Sequence, residues 1–439
     1  MTSKVKIEYV SIEKLLPYAK NARAHSAKQI KQITKSIQQF NFINPVIIDE
    51  NFQIIAGHGR VLAAEHIKLT QVPTIQVTHL TESEIRAYRL ADNKLADNSN
   101  WDNELLKIEL EYLTNIDIDI DVNLTGFETA EIDVLLNTPL EEDPEDPPPL
   151  LPEAEDIVTR QGDLWLCGPH KIICGDCRDE NTLNTLMGKS KARIIITDPP
   201  YNVPIDGHVC GLGKIKHKDF AMASGEMTSP EFAHFLKQCF EKFVQFSTDG
   251  SLHFVFMDWR HLQELLTAGN DIYETFINLC IWVKTNAGMG SLYRSQHELI
   301  AIFKNGLAPH INNIELGKYG RYRTNVWSYP GVNSFGKERD ETLAMHPTVK
   351  PIAMIADAIM DVTNHNDIVL DGFVGSGTTL LAAEQTNRRC YAIEIDPRYV
   401  DVALNRWMAA TSKMPVHAKS NLPFTEIAEQ RLTQKTCEA

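Results

Sequence analysis

The chain has 439 residues, of which 43% are hydrophobic, and this is enough for two or three domains with apolar cores. No apolar run approaches the ~20 residues of a membrane span, and the first residues lack the long apolar stretch of a secretory signal. The sequence therefore predicts a cytoplasmic protein that makes no use of a membrane.

The net charge of −15 does not exclude a nucleic-acid partner, because most of it lies in one segment. Residues 102–156 hold 18 acidic residues and one lysine, so the rest of the chain is close to neutral. Eight cysteines are too few for a disulfide scaffold at this length. Cys174 and Cys177 have CxxC spacing, but no second pair lies at zinc-ribbon distance, so no metal site is predicted.

Residues 1–100 are predicted to form a small α+β domain. Ile30, Ile33 and Ile37 recur at helical spacing, and TESEIRAYRLADNKLAD predicts a further helix. The runs NPVIID, QIIAGHGR and VPTIQV are short and rich in β-branched residues, as is typical of strands.

Residues 101–155 are predicted to be an acidic, proline-rich linker. The segment begins with the amphipathic run ELLKIELEYL, continues with IDIDIDV and ends with TPLEEDPEDPPPLLPE. The last piece is too polar and too rich in proline to pack a core. A domain boundary is therefore expected near residue 155.

Residues 156–412 are predicted to form an α/β domain around a parallel sheet. Apolar runs alternate here with helical segments: KIICGD, ARIIITDPPY, SLHFVFMD, NLCIWVK, ELIAIF, DIVLDGF and RRCYAIEID. Such runs are typical of strands that helices cover on both faces, and function is expected at their carboxyl ends. Residues 413–439 show no periodicity and are left as a C-terminal tail.

The run DIVLDGFVGSGTTLLAAE, residues 367–384, predicts a strand, a glycine-rich loop and a helix. Glycines let a backbone turn sharply and approach a ligand closely. A dinucleotide or phosphate site is the plainer alternative, but the spacing fits neither GxGxxG nor GxxxxGK[ST]. Asp371 places an acid at the mouth of the loop, which favours the cationic S-adenosylmethionine as the ligand.

A second acid, Glu394, ends the next strand, 23 residues after Asp371. A carboxylate at this point can accept hydrogen bonds from both hydroxyls of a ribose. Alone it would be an ordinary strand-end acid. Together with the glycine loop, it predicts contact with the cofactor.

The run ARIIITDPPYN places Asp198, Pro199, Pro200 and Tyr201 directly after a predicted strand. The amino group of adenine or cytosine is a poor nucleophile because its lone pair is delocalised into the ring. Asp198 and the Pro199 carbonyl could accept its two hydrogens, and Tyr201 offers a ring on which an extruded base can stack. These four residues are predicted to be catalytic, the alternative being a proline-rich turn with a helix-capping Asp.

DPPY followed far downstream by DGFVGSGTT resembles the amino-directed DNA methyltransferases in their circularly permuted beta order. The resemblance covers residues 163–407, including the CGD element, MHPTVKP and WVKTNAGMGSLYRSQHELIAIFKNG. It implies a Rossmann-like, S-adenosylmethionine-dependent methyltransferase domain. The cofactor contacts that it implies are Asp176, Thr348, Lys350, Asp371, Phe373, Gly375, Ser376, Gly377, Thr378, Thr379 and Glu394.

In this order the target-recognition region is expected at about residues 285–345. Residues 284–350 hold nine Lys and Arg against five Asp and Glu, and GKYGRYRTNVWSYPG interleaves basic with aromatic residues. Basic groups bind phosphates and aromatic rings stack on bases. Lys318, Arg321, Arg323 and Trp327 are therefore predicted to contact double-stranded DNA, the alternative being a solvated loop with a few core aromatics.

The first domain resembles the ParB-like fold of chromosome-partition proteins over residues 6–98, in FINPVIID, IIAGHGRVLAAEHI, VPTIQV and ADNKLAD. In that family the glycine–arginine element is a nucleotide site. Here the element is Gly57-His58-Gly59-Arg60, which departs from the glycine–acid–double-arginine form. Nucleotide binding, homodimer formation and added contacts to DNA or protein therefore stay open.

Residues and resemblance together predict a site-specific DNA methyltransferase that modifies the amino group of adenine. The preference for adenine rests on the resemblance, since adenine enzymes of this order usually carry Asp at the position of Asp198 whereas many cytosine enzymes carry Ser. The alternatives are an N4-cytosine enzyme, an RNA substrate, and a DNA-binding partition-type or regulatory protein with an inactive methyltransferase domain. A cytosine ring-carbon methyltransferase is excluded, because no Pro-Cys pair supplies its nucleophile.

Overall fold

Two units make up the chain, Met1–Leu136 and Asn137–Ala439. The computed structural model describes the following residues: 6–99, 101–115, 122–136, 151–153, 155–202, 225–285, 292–314, 317, 321–330 and 349–438. Among the described helices, none is both long enough and apolar enough to span a lipid bilayer.

The first unit contains a sheet whose described strands run in the order β1-β4-β2-β3. The strands are β1 (Ile7–Ser11), β2 (Val46–Ile48), β3 (Ile54–Ala56) and β4 (Gln71–Gln76). The helices are α1 (Ala27–Phe40), α2 (His58–His66), α3 (Glu82–Asp97), α4 (Asn103–Asn115) and α5 (Thr129–Leu136).

Helices α1 and α3 and strands β2, β3 and β4 lie where the sequence patterns predict them. The strand expected from QIIAGHGR ends at Ala56, however, and α2 begins at His58; β1 and α2 were not predicted. Ser26 caps α1 by accepting a hydrogen bond from the backbone of Gln29. Val46 and Ile54 pack with Val61 of α2, so the helix that begins within GHGR closes the core of this small domain.

The linker expected at residues 101–155 needs correction over 103–136. Helices α4 and α5 occupy much of this range, and Leu110, Val122 and Ile132 form a small apolar core between them. Many of the acidic residues of this segment lie on these helices, and the few apolar residues pack together. The composition of the segment therefore did not indicate a packed core. Residues 137–150, which hold most of the proline-rich run, lie outside the described residues.

The described strands of the second unit form one sheet in the order β11-β9-β10-β8-β7-β12-β13-β6-β5-β14. The strands are β5 (Leu164–Cys167), β6 (His170–Cys174), β7 (Ala192–Thr197), β8 (Ser247–Met257), β9 (Thr275–Val283), β10 (His297–Lys304), β11 (Val326–Ser328), β12 (Ile368–Asp371), β13 (Arg389–Glu394) and β14 (Val416–His417). The helices are α6 (Glu180–Met187), α7 (Ser229–Gln245), α8 (Leu262–Ile272), α9 (Ile352–Val362), α10 (Thr378–Gln385), α11 (Pro397–Thr411) and α12 (Phe424–Glu438).

The centre of this sheet is parallel and covered on both faces, as the apolar runs predict. Strands β6, β13, β12, β7 and β8 run in the same direction. Side chains alternate between the faces, so Ile194 and Ile196 join the core under α9, α10 and α11, while Ile195 joins the core under α6, α7 and α8. This is the Rossmann-like α/β arrangement expected from the sequence.

The flanks of the sheet are mixed, which differs from the parallel sheet predicted. Strand β10 lies antiparallel between β8 and β9, and β5 is antiparallel to β6. Antiparallel neighbours need no crossover helix, so consecutive strands can pair directly. As a result, the amino end of β10 and the carboxyl end of β9 reach the same sheet edge as the carboxyl ends of β7 and β8.

The C-terminal tail left unassigned from sequence is part of the second unit. Strand β14 pairs with β5 at the sheet edge. Phe424 and Ile427 of α12 reach the core, and Arg431 forms an ion pair with Asp163. The remainder of α12 is mostly polar, which explains why its sequence shows no clear periodicity.

Candidate active site

Four predicted site residues lie along one edge of the second sheet. Asp198 follows β7, Asp371 ends β12, Glu394 ends β13, and Asp176 follows β6. Because these strands are parallel neighbours, their carboxyl ends meet at this edge. Residues that are far apart in the sequence therefore lie side by side and form one continuous site.

The glycine loop after β12 is shaped by two close contacts and one open position. A Cβ at Gly372 would lie 2.5 Å from the ring of Phe243, and one at Gly377 would lie 2.8 Å from the Cβ of Ala403. Gly377 also has φ of +91°, a conformation that favours glycine. At Gly375 an added Cβ meets nothing within 4 Å, so this residue borders open space at the mouth of the loop.

Asp371 braces the loop from within. Its carboxylate accepts hydrogen bonds from the hydroxyls of Thr197 at 3.2 Å and Thr379 at 2.7 Å, and from the backbone N–H of Phe373 at 3.0 Å. Burial raises the pKa of Asp371 to about 6 although these bonds favour the charged form. Asp371 therefore fixes the start of the loop, at Phe373, and its end, at Thr379, through contacts within the protein.

Glu394 is tied to the same loop from the neighbouring strand. One carboxylate oxygen accepts from the backbone N–H of Gly375 and the other from that of Asp396, each at 2.9 Å. Burial raises the pKa of Glu394 to about 7, against the effect of those two bonds. Each oxygen keeps a second lone pair for a ligand hydroxyl, because a carboxylate oxygen accepts more than one hydrogen bond.

The other predicted cofactor contacts surround this loop. Arg406 donates to the carbonyl of Ser376 at 2.9 Å, which fixes the turn before the buried residue Thr378. Phe373 packs against Phe235, with ring centroids 6.1 Å apart. Asp176, on the loop after β6, forms an ion pair with Arg178 at 2.6 Å.

Asp198 and Tyr201 of the DPPY segment lie in direct contact. The hydroxyl of Tyr201 donates to Asp198 Oδ1 at 2.5 Å. The ring is partly buried against the cores on both faces of the sheet, so its position is fixed. Asn202 holds the following turn, since its side chain bonds to the backbone of Met227 and Gly225 before α7.

Lys350, which the resemblance places among the cofactor contacts, lies at the DPPY segment, and its contact with the cofactor stays a prediction. Its Nζ is 2.5 Å from Asp198 Oδ2, 3.1 Å from Glu298 Oε2 and 3.3 Å from the hydroxyl of Tyr201. Lys284 contacts the other oxygen of Glu298 at 2.5 Å. The four charges therefore alternate in sign from Lys284 to Asp198.

Glu298 and Lys284 were missed from the sequence. Glu298 is the one acid within the apolar run of β10, and it is 8% exposed. A charged residue inside a buried strand requires a partner, and that requirement was the available signal. The antiparallel pairing of β9 and β10 brings Lys284 next to Glu298, while Lys350 reaches it from the segment before α9.

The predicted DNA contacts Arg321, Arg323 and Trp327 have structural roles in the described residues, which corrects that prediction. Arg321 and Arg323 are 9% and 16% exposed, and both form ion pairs with Asp357 and Asp361 of α9. Trp327 is buried in the core beneath the sheet. Both guanidinium groups are engaged with the buried Asp361 and the partly exposed Asp357, so their charge is directed into the fold. Lys318 and Thr348 lie outside the described residues.

In the first unit, the Gly57–Arg60 element forms the start of α2. Gly57 has φ of +101°, and His58 Nε2 accepts from the backbone N–H of Tyr18 at 3.3 Å. Arg60 donates to the carbonyl of Pro45 at 2.8 Å. These bonds give His58 and Arg60 roles within the fold, and nucleotide binding at this element stays a prediction.

Family matches cover most of the chain. Residues 1–94 match the ParB N-terminal domain, residues 104–161 the ParB-methyltransferase HTH domain, and residues 192–405 the N6/N4 family of DNA methylases. The HTH match includes α4 and α5, the helices found where a linker was predicted.

Similar proteins match either the ParB-type part or the methylase part of the chain. YnaK of Escherichia coli (strain K12), a ParB-like nuclease domain-containing protein, is 51% identical over 84 residues, which are 19% of this chain and 97% of YnaK. The type II methyltransferase M.HpaI of Haemophilus parainfluenzae is 27% identical over 253 residues, which are 54% of this chain and 73% of M.HpaI. A solved structure, PvuII DNA methyltransferase (cytosine-N4-specific), covers 64% of this chain and 96% of its own with 16% identity and a TM-score of 0.44.

The resemblances stated from sequence are thus confirmed for both parts of the chain. Methylases of the N6/N4 family use S-adenosylmethionine, so the predicted cofactor is confirmed at the level of the family. Residues 192–405 thus belong to a DNA methylase domain of the N6/N4 family, and residues 1–94 to a ParB-type N-terminal domain.

Proposed function

We propose that this chain transfers a methyl group from S-adenosylmethionine to the exocyclic amino group of adenine at specific sites in double-stranded DNA. The observation that carries the proposal is the pairing of Asp198 with Tyr201 beside the glycine loop. The hydrogen bond from Thr197 to Asp371 joins the strand before DPPY to the strand before that loop. A base held at DPPY and a cofactor held at the loop would therefore be neighbours.

The residues at the loop fit the proposed cofactor. The open space at Gly375 leaves a cradle that a side chain would fill, and the carboxylate of Glu394 lies next to it. We assign the ribose hydroxyls to Glu394, and assign Phe373 and Asp176 to the adenine end. When bound, S-adenosylmethionine supplies an electrophilic methyl carbon on a cationic sulfonium, which the acids at this edge favour.

The DPPY residues fit a base that is turned out of the helix. Asp198 and the carbonyl of Pro199 would accept the two hydrogens of the amino group, which directs its lone pair outward. The hydroxyl of Tyr201 is held by Asp198, so the ring has one orientation on which a base can stack. Because carboxylate oxygens accept several hydrogen bonds, Asp198 can keep Tyr201 while it receives the base.

The choice of adenine rests on Asp198. A carboxylate accepts a stronger hydrogen bond from an amino group than a hydroxyl does. The stronger bond leaves more electron density on the nitrogen, which suits an amino group as weakly basic as that of adenine. The same geometry admits the amino group of cytosine, so N4-cytosine methylation is the second candidate. The partition-type alternative with an inactive methyltransferase domain is less well supported, because Asp198 and Tyr201 form an intact pair.

Site selection is proposed to involve residues about 285–345 outside β10 and β11, together with the first unit. The basic residues that remain candidates there include Arg294, which is exposed. The ParB-type domain is proposed to add DNA contacts, with nucleotide binding and homodimer formation as further proposals. Residues 156–412 are proposed as the catalytic domain.

The proposal is tested with purified full-length protein, S-adenosylmethionine and unmethylated duplex DNA. We expect methyl label to enter the DNA with equal formation of S-adenosylhomocysteine, and we expect Asp198→Ala to abolish both. Label that enters RNA and not DNA, or no label with a protein that binds the cofactor, would overturn the proposal.

A further inference from the structure

We infer that Glu298 and Lys350 form a positioning pair that holds Asp198 as a charged acceptor and fixes the hydroxyl of Tyr201. This inference rests on the proposed function, in which Asp198 and Tyr201 receive the base. It assigns a role to two residues that lie outside the DPPY segment and outside the glycine loop.

Glu298, near the start of β10, holds both Lys350 and Tyr201. Its Oε2 is 3.1 Å from both Lys350 Nζ and the hydroxyl of Tyr201, while its Oε1 is held by Lys284. Glu298 has a fixed backbone position, because it pairs with Trp282 of β9 in the sheet. Lys350 itself lies outside any helix or strand, but its ammonium group is held by a carboxylate that belongs to a strand of the sheet.

The environment of Lys350 keeps it charged and in one place. Its side chain is 6% exposed, and its Nζ lies 5.3 Å from the ring centroid of Phe256 and 5.9 Å from that of Trp282. Aromatic faces and two carboxylates all favour a cation at this point. Burial alone would lower the pKa of Lys350, but Asp198 and Glu298 raise it above its usual value.

Lys350 opposes the effects that would neutralise Asp198, whose pKa remains raised above its usual value, mainly by burial. Burial and the charge of Glu298 raise the pKa of Asp198, and the ammonium of Lys350 opposes both. The charged and titratable groups that face Asp198 are Lys350, Glu298, Tyr201 and Asp371, with Lys284 acting through Glu298. A protonated Asp198 would accept fewer hydrogen bonds from an amino group. The ammonium group of Lys350 therefore favours the charged carboxylate that the base requires.

The test compares Lys350→Met and Glu298→Gln with wild type in single-turnover methylation at a series of pH values. We expect each variant to lose at least ~10-fold in rate while the Kd for S-adenosylmethionine changes by less than about twofold. The acid limb of the rate should move up by ~1 pH unit in Lys350→Met, because Asp198 loses its cation. In Glu298→Gln it should move down, because a like charge is removed.

Two further variants separate positioning from general damage. Lys413→Met removes an ion pair with Glu384 outside this site and should leave rate and pH profile unchanged. Lys350→Arg keeps the charge and should keep the acid limb close to that of wild type. Folding of each variant is checked by thermal unfolding.

The outcomes are distinct for the inference and for the proposed function. If wild type methylates DNA and both variants keep its rate, or lose rate with an unshifted acid limb, the positioning role is wrong while the proposed function stands. If wild type does not methylate DNA, both fail.

Discussion

The hydroxyl of Thr197 donates to Asp371 Oδ1 at 3.2 Å, and this bond joins the last residue of β7 to the last residue of β12. Both residues are buried, and each stands directly before one of the two functional loops. The distance between the DPPY segment and the glycine loop is therefore set by a contact inside the sheet.

Thr197→Val keeps the shape of the side chain and removes this donor. Asp371 would then be a buried carboxylate with fewer partners, so we expect the free energy of unfolding to fall by ~1–2 kcal/mol. Urea unfolding measures this loss. Thr185→Val, in which an exposed hydroxyl bonded within α6 is lost, is the control and should change stability little. An unchanged midpoint for Thr197→Val would contradict the role given to the bond.

Two glycines of one loop should respond differently to alanine. Gly377→Ala forces a Cβ against Ala403 and should mainly destabilise the fold, by ~1–3 kcal/mol. Gly375 also has a positive φ of +51°, so Gly375→Ala should cost ~1–2 kcal/mol in stability. Its methyl group enters the open cradle, so it should in addition weaken S-adenosylmethionine binding, and by more than Gly377→Ala does. Calorimetry and thermal unfolding on both variants give the comparison. Tight binding by a folded Gly375→Ala variant would remove this residue from the cofactor site.

Cofactor affinity should depend on pH through Glu394. Its pKa of about 7 in the free protein lies above the usual value, so below pH 7 the carboxyl is mostly protonated and accepts ribose hydroxyls poorly. Binding that favours the charged form releases a proton, and the Kd for S-adenosylmethionine should therefore fall as pH rises from 6 to 8. Glu394→Gln should bind more weakly and lose most of this dependence. A flat profile for wild type would contradict the assignment.

The ring and the hydroxyl of Tyr201 should make separate contributions to methylation. Tyr201→Phe keeps a stacking surface and removes the bond to Asp198, whereas Tyr201→Ala removes both. We expect Tyr201→Ala to lose more kcat than Tyr201→Phe, by about tenfold, since stacking of a flipped base contributes ~1–3 kcal/mol. Cofactor binding should persist in both variants. Equal rates for the two would mean that the ring does not hold the base.

Arg323 should matter for stability and not for DNA binding. Arg323→Met leaves Arg321 as the remaining cationic partner of Asp357 and Asp361, so one oxygen of the buried Asp361 loses its donor and the variant should lose ~1–3 kcal/mol of unfolding free energy. Arg294→Met, which removes an exposed charge from the same region, should leave stability unchanged and weaken DNA affinity. A stable Arg323→Met variant with weakened DNA binding would restore the DNA-contact prediction.

Much of the candidate site could be predicted from sequence because its residues end strands or directly follow them. Asp198, Asp371 and Glu394 each come after an apolar run, and the parallel order of those runs places them at one edge. Glu298 could not be found in this way, since it begins a strand and its partners Lys284 and Lys350 lie in separate segments. The antiparallel placement of β10 brings Glu298 to the site edge and next to Lys284, and the segment before α9 adds Lys350.

The wrong predictions also have physical reasons. Arg321 and Arg323 resemble a nucleic-acid surface because they alternate with aromatic residues, but Asp357 and Asp361 lie one turn apart on α9 and neutralise them. That spacing is visible in IAMIADAIMDV and was the signal that could have indicated burial. In residues 103–136, composition suggested a linker although a few apolar positions suffice for a small core.

The central claim, that the chain methylates the amino group of adenine in DNA, is tested most directly by the modified nucleosides that it makes. DNA from cells that lack endogenous methylation and express either wild type or Asp198→Ala is digested to nucleosides and separated by mass spectrometry. We expect N6-methyladenine with wild type and none with Asp198→Ala. N4-methylcytosine without methyladenine would contradict the choice of base, and the absence of any methylated nucleoside from cells with folded wild-type protein would contradict the claim of DNA methylation itself.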